Sequence, residues 1–269
     1  MPSDDFKKYT EANRAAWNEV MPLHKKHRRL DLDTAFAGAG FSVLDEFIGA
    51  RLELVGVAGR DVAQLSCNNG QELLSLLNMG ARYGLGIDIS DAAIEEACRL
   101  RDIAGSNADF VRADVYDVGV EYDGRFDLLL VTVGALAWLP DLAAYFALAA
   151  RMLKPGGRLL VYEMHPILNA LPQKDDPEFA HPLQFGLPYF SREPFAYNDG
   201  IDYIGGTSYA ARTSYNFNHG LGDIVNSIVR AGFEIEALDE FPHDISNLFA
   251  ETAAAALIPM CFILQARKR

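Results

Sequence analysis

Cysteine is scarce in this sequence, which contains 3 in 269 residues. Cys67, Cys98 and Cys261 are odd in number and lie far apart, so they form none of the paired spacings that are typical of disulfide frameworks or zinc sites. We therefore expect reduced thiols and no metal site.

A long apolar run is also missing. The longest, residues 253–264, is about half of the roughly 20 residues that a membrane span requires, and it contains Pro259. Residues 1–8 are polar and charged and lack the apolar centre of a signal peptide. From these absences we expect a cytoplasmic protein that has no membrane partner.

Positive charge is in deficit, with 24 lysine and arginine residues against 37 aspartate and glutamate residues. The net charge of −13 produces a field that repels polyanions, so we expect no nucleic-acid partner. One basic stretch, residues 24–29, runs against this trend, and we interpret it as a solvated helix face.

What the sequence does contain is a regular alternation of short apolar segments with helical periods. The segments that predict strands are residues 60–66, 82–87, 108–112, 126–133 and 158–163. The helical patterns between them cover residues 71–79, 91–102 and 139–153. This order predicts an α/β fold with a parallel sheet and right-handed crossovers. The chain closes with a predicted helix over residues 221–231 and strands over 233–238 and 260–266.

Two regions lie outside this alternation. Residues 4–28 carry apolar side chains on one helical face, and residues 30–56 form a looser helical stretch. Residues 165–218 hold prolines and many aromatics but no clear helix. Within them, segments 195–197 and 207–215 alternate as antiparallel strands do, and a long irregular insertion of this kind is usually functional.

These patterns predict the organisation of the chain as one compact unit. Residues 1–58 form a helical lid, and residues 59–164 together with 219–269 form the core domain. Residues 165–218 are an inserted antiparallel cap over the substrate. No pattern in the sequence assigns an oligomeric state.

The turn after the first predicted strand consists of Ser66, Cys67, Asn68, Asn69 and Gly70. A turn of this kind brings backbone N–H groups and a helix N-terminus to one point, where a ligand can approach. Only one glycine is present, but asparagine is the residue that best replaces glycine where φ is positive. Because any strand-to-helix turn has this form, the turn alone is a weak signal.

Carboxylates follow the next two predicted strands. Asp88 ends the second strand, where it can accept hydrogen bonds from a ribose diol. Asp114 follows the third strand and can accept from an adenine amine, or it can simply cap a turn. Together with the turn at residues 66–70, these positions predict a site for a nucleoside-containing cofactor.

The successive motifs of class I S-adenosylmethionine-dependent methyltransferases resemble five segments of this sequence, residues 62–70, 86–90, 113–115, 126–130 and 153–159. The Leu-Lys-Pro-Gly-Gly turn at residues 153–157 is a fairly specific feature of that family, and similarity is weaker over 219–238. The resemblance implies a Rossmann-like sheet that is mostly parallel with an antiparallel last strand. It also implies S-adenosylmethionine as the cofactor.

The resemblance carries roles onto individual residues. It implies that the turn from Ser66 to Gly70 wraps the methionine moiety, that Asp88 binds the ribose, and that Asp114 binds the adenine amine. Ile89 is then expected against the adenine ring, and Val115 and Thr132 are expected among the residues that bind the cofactor. The sequence departs from the family at three positions, because Gln64 stands where an acidic residue is usual and Ser66 and Asn68 replace glycines.

The N-terminal segment, residues 13–18, resembles the lid helix of the small-molecule members of that family. Trp17 is then expected over the cofactor, with burial in the core as the alternative.

A methyl acceptor that carries a proton needs a base, and histidine titrates near neutral pH. His165 follows the fifth predicted strand and His219 opens the helix after the insertion, so both are candidate bases, with a structural or capping role as the alternative for each. His181 and His243 are weaker candidates. The tyrosines of the insertion line a pocket or pack a small sheet; they are Tyr189, Tyr197, Tyr209 and Tyr215.

We therefore predict a methyltransferase that acts on the oxygen, nitrogen or carbon of a small molecule. The fourth strand is not followed by an Asn-Pro-Pro-aromatic sequence, which argues against enzymes that methylate nucleic-acid amines. Two alternatives remain open. One is an NAD-dependent oxidoreductase on the same fold, and the other is a non-catalytic protein that binds the cofactor and regulates another process.

Overall fold

The centre of the fold is a seven-stranded sheet. The computed structural model describes residues 6–174 and 179–269. The strands of this sheet are Asp61–Leu65 (β1), Tyr83–Asp88 (β2), Ala108–Arg112 (β3), Phe126–Val131 (β4), Leu153–Met164 (β5), Phe233–Phe241 (β8) and Cys261–Lys268 (β9). A separate two-stranded sheet is formed by Phe195–Tyr197 (β6) and Ser214–Asn216 (β7).

The order of the main sheet is β3-β2-β1-β4-β5-β9-β8. Strands β1 to β5 pair in parallel, and β9 runs antiparallel to both of its neighbours. The prediction of a mostly parallel Rossmann-like sheet with an antiparallel last strand is therefore confirmed. Three consecutive leucines of β4, Leu128 to Leu130, are completely buried, as expected for a strand covered on both faces.

Eight α-helices surround the sheet in the described ranges. They are Lys7–His27 (α1), Leu32–Ala37 (α2), Glu46–Val55 (α3), Gln71–Asn78 (α4), Asp91–Ala104 (α5), Leu142–Met152 (α6), Leu221–Arg230 (α7) and Ala250–Ala255 (α8). Residues 4 and 5 of the first predicted helix lie outside the described residues.

The looser stretch predicted over residues 30–56 contains two separate helices, α2 and α3. The side chain of Asp31 accepts hydrogen bonds from the first turn of α2, and that of Asp45 does so for α3. Each aspartate satisfies backbone N–H groups that a helix start leaves without a partner. The two caps explain why this stretch forms two short helices and not one long helix.

The predicted long strand at residues 207–215 is wrong over most of its length. Only Ser214–Asn216 pairs, with β6, while Thr207 forms an isolated bridge with Asp202. The Asp202 carboxylate accepts the Gly205 N–H at 2.9 Å and closes a tight turn in front of Thr207. This local turn replaces the ladder that the alternating pattern predicted. Residues 175–178 of the predicted cap lie outside the described residues.

Two hydrophobic cores fill the space between the sheet and its helices. On one face the sheet packs against α6 and α7, through residues such as Phe146 and Ile228. On the other face it packs against α3, α4 and α5, through residues such as Leu52 and Leu73. Both cores end at the edge of the sheet where the parallel strands terminate, so the side chains at that edge rest on a packed base.

Gly86 in β2 lies directly beside the ring of Phe110, its partner in β3. A Cβ atom at Gly86 would stand 2.5 Å from Cδ1 of Phe110 and 2.8 Å from the Cys67 sulfur. We expect Gly86→Ala to lower the free energy of unfolding by about 2 kcal/mol, because overpacking a buried site forces side chains from their preferred positions. Chemical denaturation measures this loss.

Gly222 provides the matched control for this substitution. It lies in α7, and no heavy atom lies within 4 Å of a Cβ built at that position. Gly222→Ala is expected to be neutral or slightly stabilising, since alanine favours helix more than glycine does. Equal stability of the two variants would contradict the close packing of Phe110 on Gly86.

No helix between residues 6 and 174 or between 179 and 269 is long and apolar enough to cross a membrane. The three cysteines are free thiols. The described residues contain no group of three or more histidine, cysteine or acidic side chains arranged to hold a metal ion.

Candidate functional site

The carboxyl ends of β1, β2 and β3 meet at one edge of the sheet. The register pairs Leu65 with Ile87 and Asp88 with Arg112, so the three strands end at neighbouring positions. The turn at residues 66–70, Asp88 and Asp114 therefore lie side by side along this edge, as the sequence predicts. Parallel α/β sheets bind ligands at such an edge.

The turn after β1 has an unusual backbone. Ser66, Asn68 and Gly70 have positive φ angles of 57°, 48° and 74°. The side chain of Asn68 accepts the N–H of Asn69 at 2.7 Å, which helps to hold a conformation that asparagine tolerates better than most residues. Serine tolerates a positive φ less well than asparagine does, so the backbone at Ser66 is strained. Backbone strain of this kind concentrates at functional sites.

Asp88 ties the turn to β2. Its carboxylate accepts the Asn68 N–H at 2.8 Å and the Ser90 N–H at 2.9 Å. Burial raises the pKa of Asp88, and the hydrogen bonds from the backbone partly oppose that effect. A carboxylate has about four acceptor positions, so Asp88 keeps acceptor capacity for a diol beside these backbone donors.

Asp114 is buried and caps a short turn, since it accepts the Tyr116 N–H at 3.0 Å. The capping role that the sequence left open is therefore present, and the carboxylate still has lone pairs for an amine. Ile89 and Val115 are partly buried beside these two carboxylates in the chain. Their contacts with the cofactor stay predictions.

A second polar group lies where β1 meets β4. The Gln64 side chain donates from Nε2 to Thr132 Oγ1 at 2.9 Å, and both residues are buried. Gln64 Oε1 and Asn69 Nδ2 are buried with no hydrogen-bond partner in the part of the chain that the structure describes. Leaving such atoms unpaired costs free energy, so this edge fits a ligand with polar atoms of its own.

Helix α1 is fastened over this edge by two asparagines. Asn13 donates to the Tyr215 carbonyl at 2.9 Å and accepts the Tyr215 N–H at 2.7 Å, which joins the helix to β7. Asn18 accepts from the Ser90 hydroxyl and donates to Asp91, at 2.8 and 2.9 Å. The helix thus bridges β7 of the cap and the start of α5, and its function as a lid stays a prediction.

Trp17 lies at the junction of the lid with the loop after β4. Its ring contacts that of Trp138 edge to face, with centroids 5.3 Å apart, and also the rings of His24 and Tyr203. The side chain is partly buried. It belongs to an aromatic cluster at the site, and its contact with a cofactor stays a prediction.

The end of α1 is not the solvated face that the basic stretch indicated. His24 is 1% exposed, and its Nε2 lies 3.0 Å from the Ile201 carbonyl. His27 Nδ1 lies 2.9 Å from the Asp202 carboxylate. The interpretation is wrong at these positions because the cap covers this end of the helix.

His165 is buried at the end of β5. Its Nδ1 accepts the Ile167 N–H at 3.1 Å, and its Nε2 faces a carboxylate oxygen of Glu240 at 2.9 Å. With Nδ1 acting as the acceptor, the neutral ring carries its proton on Nε2, so no lone pair is free to take a proton. Burial lowers the pKa of His165.

His219 has a different environment. Its Nε2 lies 2.7 Å from the Leu139 carbonyl, and this oxygen can only accept, so the ring donates from Nε2 and keeps its lone pair on Nδ1. Nδ1 has no hydrogen-bond partner within residues 6–174 and 179–269. Burial lowers the pKa of His219, which keeps the ring neutral at pH 7.

The weaker histidine candidates lie elsewhere. His181 is exposed and accepts the Leu183 N–H at 3.2 Å. His243 is stacked on Phe47, and its Nε2 lies 2.9 Å from the Tyr162 hydroxyl and 3.4 Å from the Cys261 sulfur. Both are explained by local packing.

Glu163 is a buried carboxylate that no motif in the sequence indicated. It accepts the N–H groups of Gly134, Leu136 and Met164 at 2.6, 3.2 and 2.8 Å, and so fixes the loop after β4. Burial raises the pKa of Glu163 to about 7, against the opposing effect of these hydrogen bonds. Gly134 and Leu136 lie 29 and 27 residues earlier in the chain, so no local motif indicates the role of Glu163.

Because the folded pKa of Glu163 lies above its ordinary value, the folded state binds this proton more tightly than the unfolded chain does. The resulting stabilisation is complete below the ordinary glutamate pKa and is lost as pH rises through about 7. We expect the wild type to lose about 2 kcal/mol of unfolding free energy between pH 5 and 8 relative to Glu163→Gln. Denaturant melts across this range measure it, with the exposed Glu121→Gln as control. Parallel curves for the wild type and Glu163→Gln would contradict the shift.

Comparison with protein families assigns residues 62–157 to a methyltransferase domain. Among curated proteins, the chain is 32% identical over 117 residues to a ubiquinone biosynthesis O-methyltransferase of Xanthomonas oryzae pv. oryzae, which is 43% of this chain and 46% of that protein. It is also 32% identical over 114 residues to phthiotriol/phenolphthiotriol dimycocerosates methyltransferase 1 of Mycobacterium ulcerans, covering 42% and 40%. The aligned part is therefore about half the length of these relatives.

Solved structures extend the similarity of the fold. An S-adenosylmethionine-dependent methyltransferase from Mesorhizobium loti superposes with a TM-score of 0.61 at 24% identity, over 87% of this chain and 100% of that one. A putative enzyme of the same type from Listeria monocytogenes gives a TM-score of 0.62 at 17% identity, over 82% and 96%. The fold assigned from the motifs is confirmed by these neighbours.

Proposed function

We propose that this chain, whose residues 62–157 match a methyltransferase domain, transfers a methyl group from S-adenosylmethionine to a small molecule. The observation that carries the proposal is the edge of the sheet, where the strained turn, Asp88 and Asp114 stand in register beside buried polar atoms that lack partners. The match of residues 62–157 to the domain family covers the same elements.

The residues at this edge fit the cofactor from end to end. We assign the turn formed by Ser66, Cys67, Asn68, Asn69 and Gly70 to the methionine moiety, with Thr132 beside it. Asp88 holds the ribose hydroxyls and Asp114 the adenine amine. Ile89 and Val115 pack on the adenine ring, and Trp17 covers the site from the lid.

When bound, S-adenosylmethionine supplies a methyl group on a sulfonium, and the thioether is a good leaving group. The protein then contributes mainly orientation and exclusion of water, and a base where the acceptor carries a proton. We assign the base to His219, because its Nε2 donates to the Leu139 carbonyl and its Nδ1 keeps a lone pair. His165 is the second candidate, and it stands behind His219 because its Nδ1 lone pair already accepts the Ile167 N–H.

The acceptor belongs on the side of β4 that faces the cap. Phe217 donates its N–H to the Ala137 carbonyl at 2.8 Å, so the segment that precedes His219 runs along the loop after β4. Aromatic rings of the lid and cap meet there, with Tyr9 and Tyr215 centroids 4.9 Å apart. We propose a small acceptor with an apolar face and a methylated oxygen, with nitrogen and carbon as alternatives. The net charge of −13 disfavours nucleic acid, and we place the protein in the cytoplasm.

An acceptor screen tests this function. The protein is incubated with S-adenosylmethionine and single phenols, catechols, carboxylic acids and amines, and S-adenosylhomocysteine formation is followed by mass spectrometry. We expect turnover with at least one apolar acceptor and none with Asp88→Ala. Tight cofactor binding without turnover on any class of acceptor would support the non-catalytic alternative instead.

A further inference from the structure

Gln64 stands where class I methyltransferases usually have an acidic residue. It is fully buried in β1, next to the turn at residues 66–70. Its Nε2 is engaged by Thr132, while its Oε1 has no partner within the described ranges. An acceptor that is buried and unpaired is costly, so a ligand donor is expected beside it. A neutral amide cannot, however, supply the charge that an acidic residue would.

A carboxylate that could supply this charge lies on α4, the helix that follows the turn. Glu72 lies in the first turn of α4, where its carboxylate accepts a hydrogen bond from Gln71 Nε2 at 3.2 Å. Burial raises the pKa of Glu72, and its hydrogen bonds and the charge of Arg28 oppose that effect. No cation of the described residues lies within 4 Å of this carboxylate.

The positive charge of Arg28, which acts on Glu72, is incompletely paired. Arg28 follows α1, and its side chain is 15% exposed, yet the nearest carboxylate is Glu96 at 3.9 Å. Its guanidinium makes no hydrogen bond to any described residue, although it carries five N–H donors. Burial lowers the pKa of Arg28, which expresses the cost of holding this charge out of water.

We propose that Glu72 and Arg28 bind the amino-acid end of the cofactor, Glu72 the α-ammonium and Arg28 the α-carboxylate. The unpaired neutral atoms match this division. Gln64 Oε1 is an acceptor beside Glu72 and suits the ammonium, whereas Asn69 Nδ2 is a donor and suits the carboxylate. The inference rests on the proposed function, because it presupposes that the cofactor occupies this edge.

The arrangement explains why glutamine is tolerated in β1. The negative charge has moved from the strand to the first turn of α4, so Glu72 takes over the contact. An acidic residue at position 64 would place two carboxylates together and raise the cost of ionising both. Gln64 instead carries no charge, donates to Thr132 and keeps one oxygen for the ligand.

Calorimetry with two ligands tests the inference. S-adenosylhomocysteine has the whole amino-acid end, and 5′-methylthioadenosine has the same nucleoside without it. We expect Glu72→Gln and Arg28→Gln each to weaken S-adenosylhomocysteine binding about 10- to 100-fold, as loss of a buried charged hydrogen bond does. Binding of 5′-methylthioadenosine should stay within about twofold. Glu95→Gln, on the exposed side of α5, is the control and should change neither affinity.

A relocated charge provides the sharper test. Adding Gln64→Glu to Glu72→Gln returns a carboxylate to β1, and we expect it to recover most of the lost affinity for S-adenosylhomocysteine. No recovery, or an equal loss for both ligands, would overturn the inference and indicate a purely structural Glu72. Wild-type protein that binds neither ligand would instead overturn the proposed function. Thermal melts of each variant identify any that fail to fold, and Arg28→Gln then decides alone.

Discussion

Replacing Asp88 by alanine is expected to weaken S-adenosylhomocysteine binding by about 100-fold or more. The carboxylate has two tasks at once, since it accepts the Asn68 and Ser90 N–H groups and is assigned the ribose diol. Alanine removes the ligand contact and also releases a turn whose backbone is strained at Ser66 and Asn68. Isothermal titration calorimetry measures the affinity directly.

Two further variants separate these tasks. Asp88→Asn keeps the shape of the side chain and one oxygen, so it should fall between the wild type and alanine. Asp102→Ala, an exposed aspartate at the far end of α5, should leave the affinity unchanged. Unchanged affinity in Asp88→Ala would remove the ribose assignment.

Replacing His219 by glutamine is expected to lower kcat by about 100- to 10,000-fold with an acceptor found by screening, while cofactor affinity is retained. A glutamine amide can still donate to the Leu139 carbonyl, as His219 Nε2 does. It has no basic lone pair, so the variant removes proton transfer and keeps the local hydrogen bond. Steady-state kinetics with both substrates separate the two effects.

The pH profile adds an independent readout. Burial lowers the pKa of His219, so the neutral base is present above pH 7, and kcat should be flat there and fall only in acid. His165→Ala should reduce turnover less than His219→Gln does, because the Nδ1 lone pair of His165 already accepts the Ile167 N–H. Full turnover in His219→Gln would show that this histidine is not the base.

The parts of the site that follow strands were predictable from the sequence. A strand of buried apolar residues fixes where its carboxyl end lies, and parallel pairing brings successive ends to one edge. Asp88 and Asp114 therefore needed no three-dimensional information to be placed together. The antiparallel β9 was expected through resemblance, since nothing in residues 260–266 indicates strand direction.

The remaining parts depend on contacts between distant segments. The surroundings of the Glu163 carboxylate depend on the loop after β4. Those of the Glu72 carboxylate depend on Gln64 and on Arg28 from the end of α1. The position of His165 after the fifth strand suited a base, but its Nε2 faces Glu240. Glu240 lies on β8, far along the chain. Local periodicity carries no information on such partners. The strand predicted over residues 207–215 was wrong over most of its length for the same reason, because Asp202 closes a local turn, whereas the strand predicted over residues 195–197 is present as β6.

The glycine-poor turn shows where a family pattern and local chemistry differ. A rule that requires glycine would reject Ser66 and Asn68, yet both adopt positive φ angles here. Asn68 is held by its own side chain and by Asp88, so the backbone shape persists without the glycines. The side chains then remain available to the ligand, which glycine would not offer.

The most direct test of the account is a calorimetric titration of the wild-type protein with S-adenosylhomocysteine and, separately, with NAD. One S-adenosylhomocysteine should bind per chain, and the same titration of Asp88→Ala should show the affinity largely lost, while NAD produces no saturable heat. Saturable binding of NAD with no binding of S-adenosylhomocysteine would contradict the account and favour an oxidoreductase on the same fold.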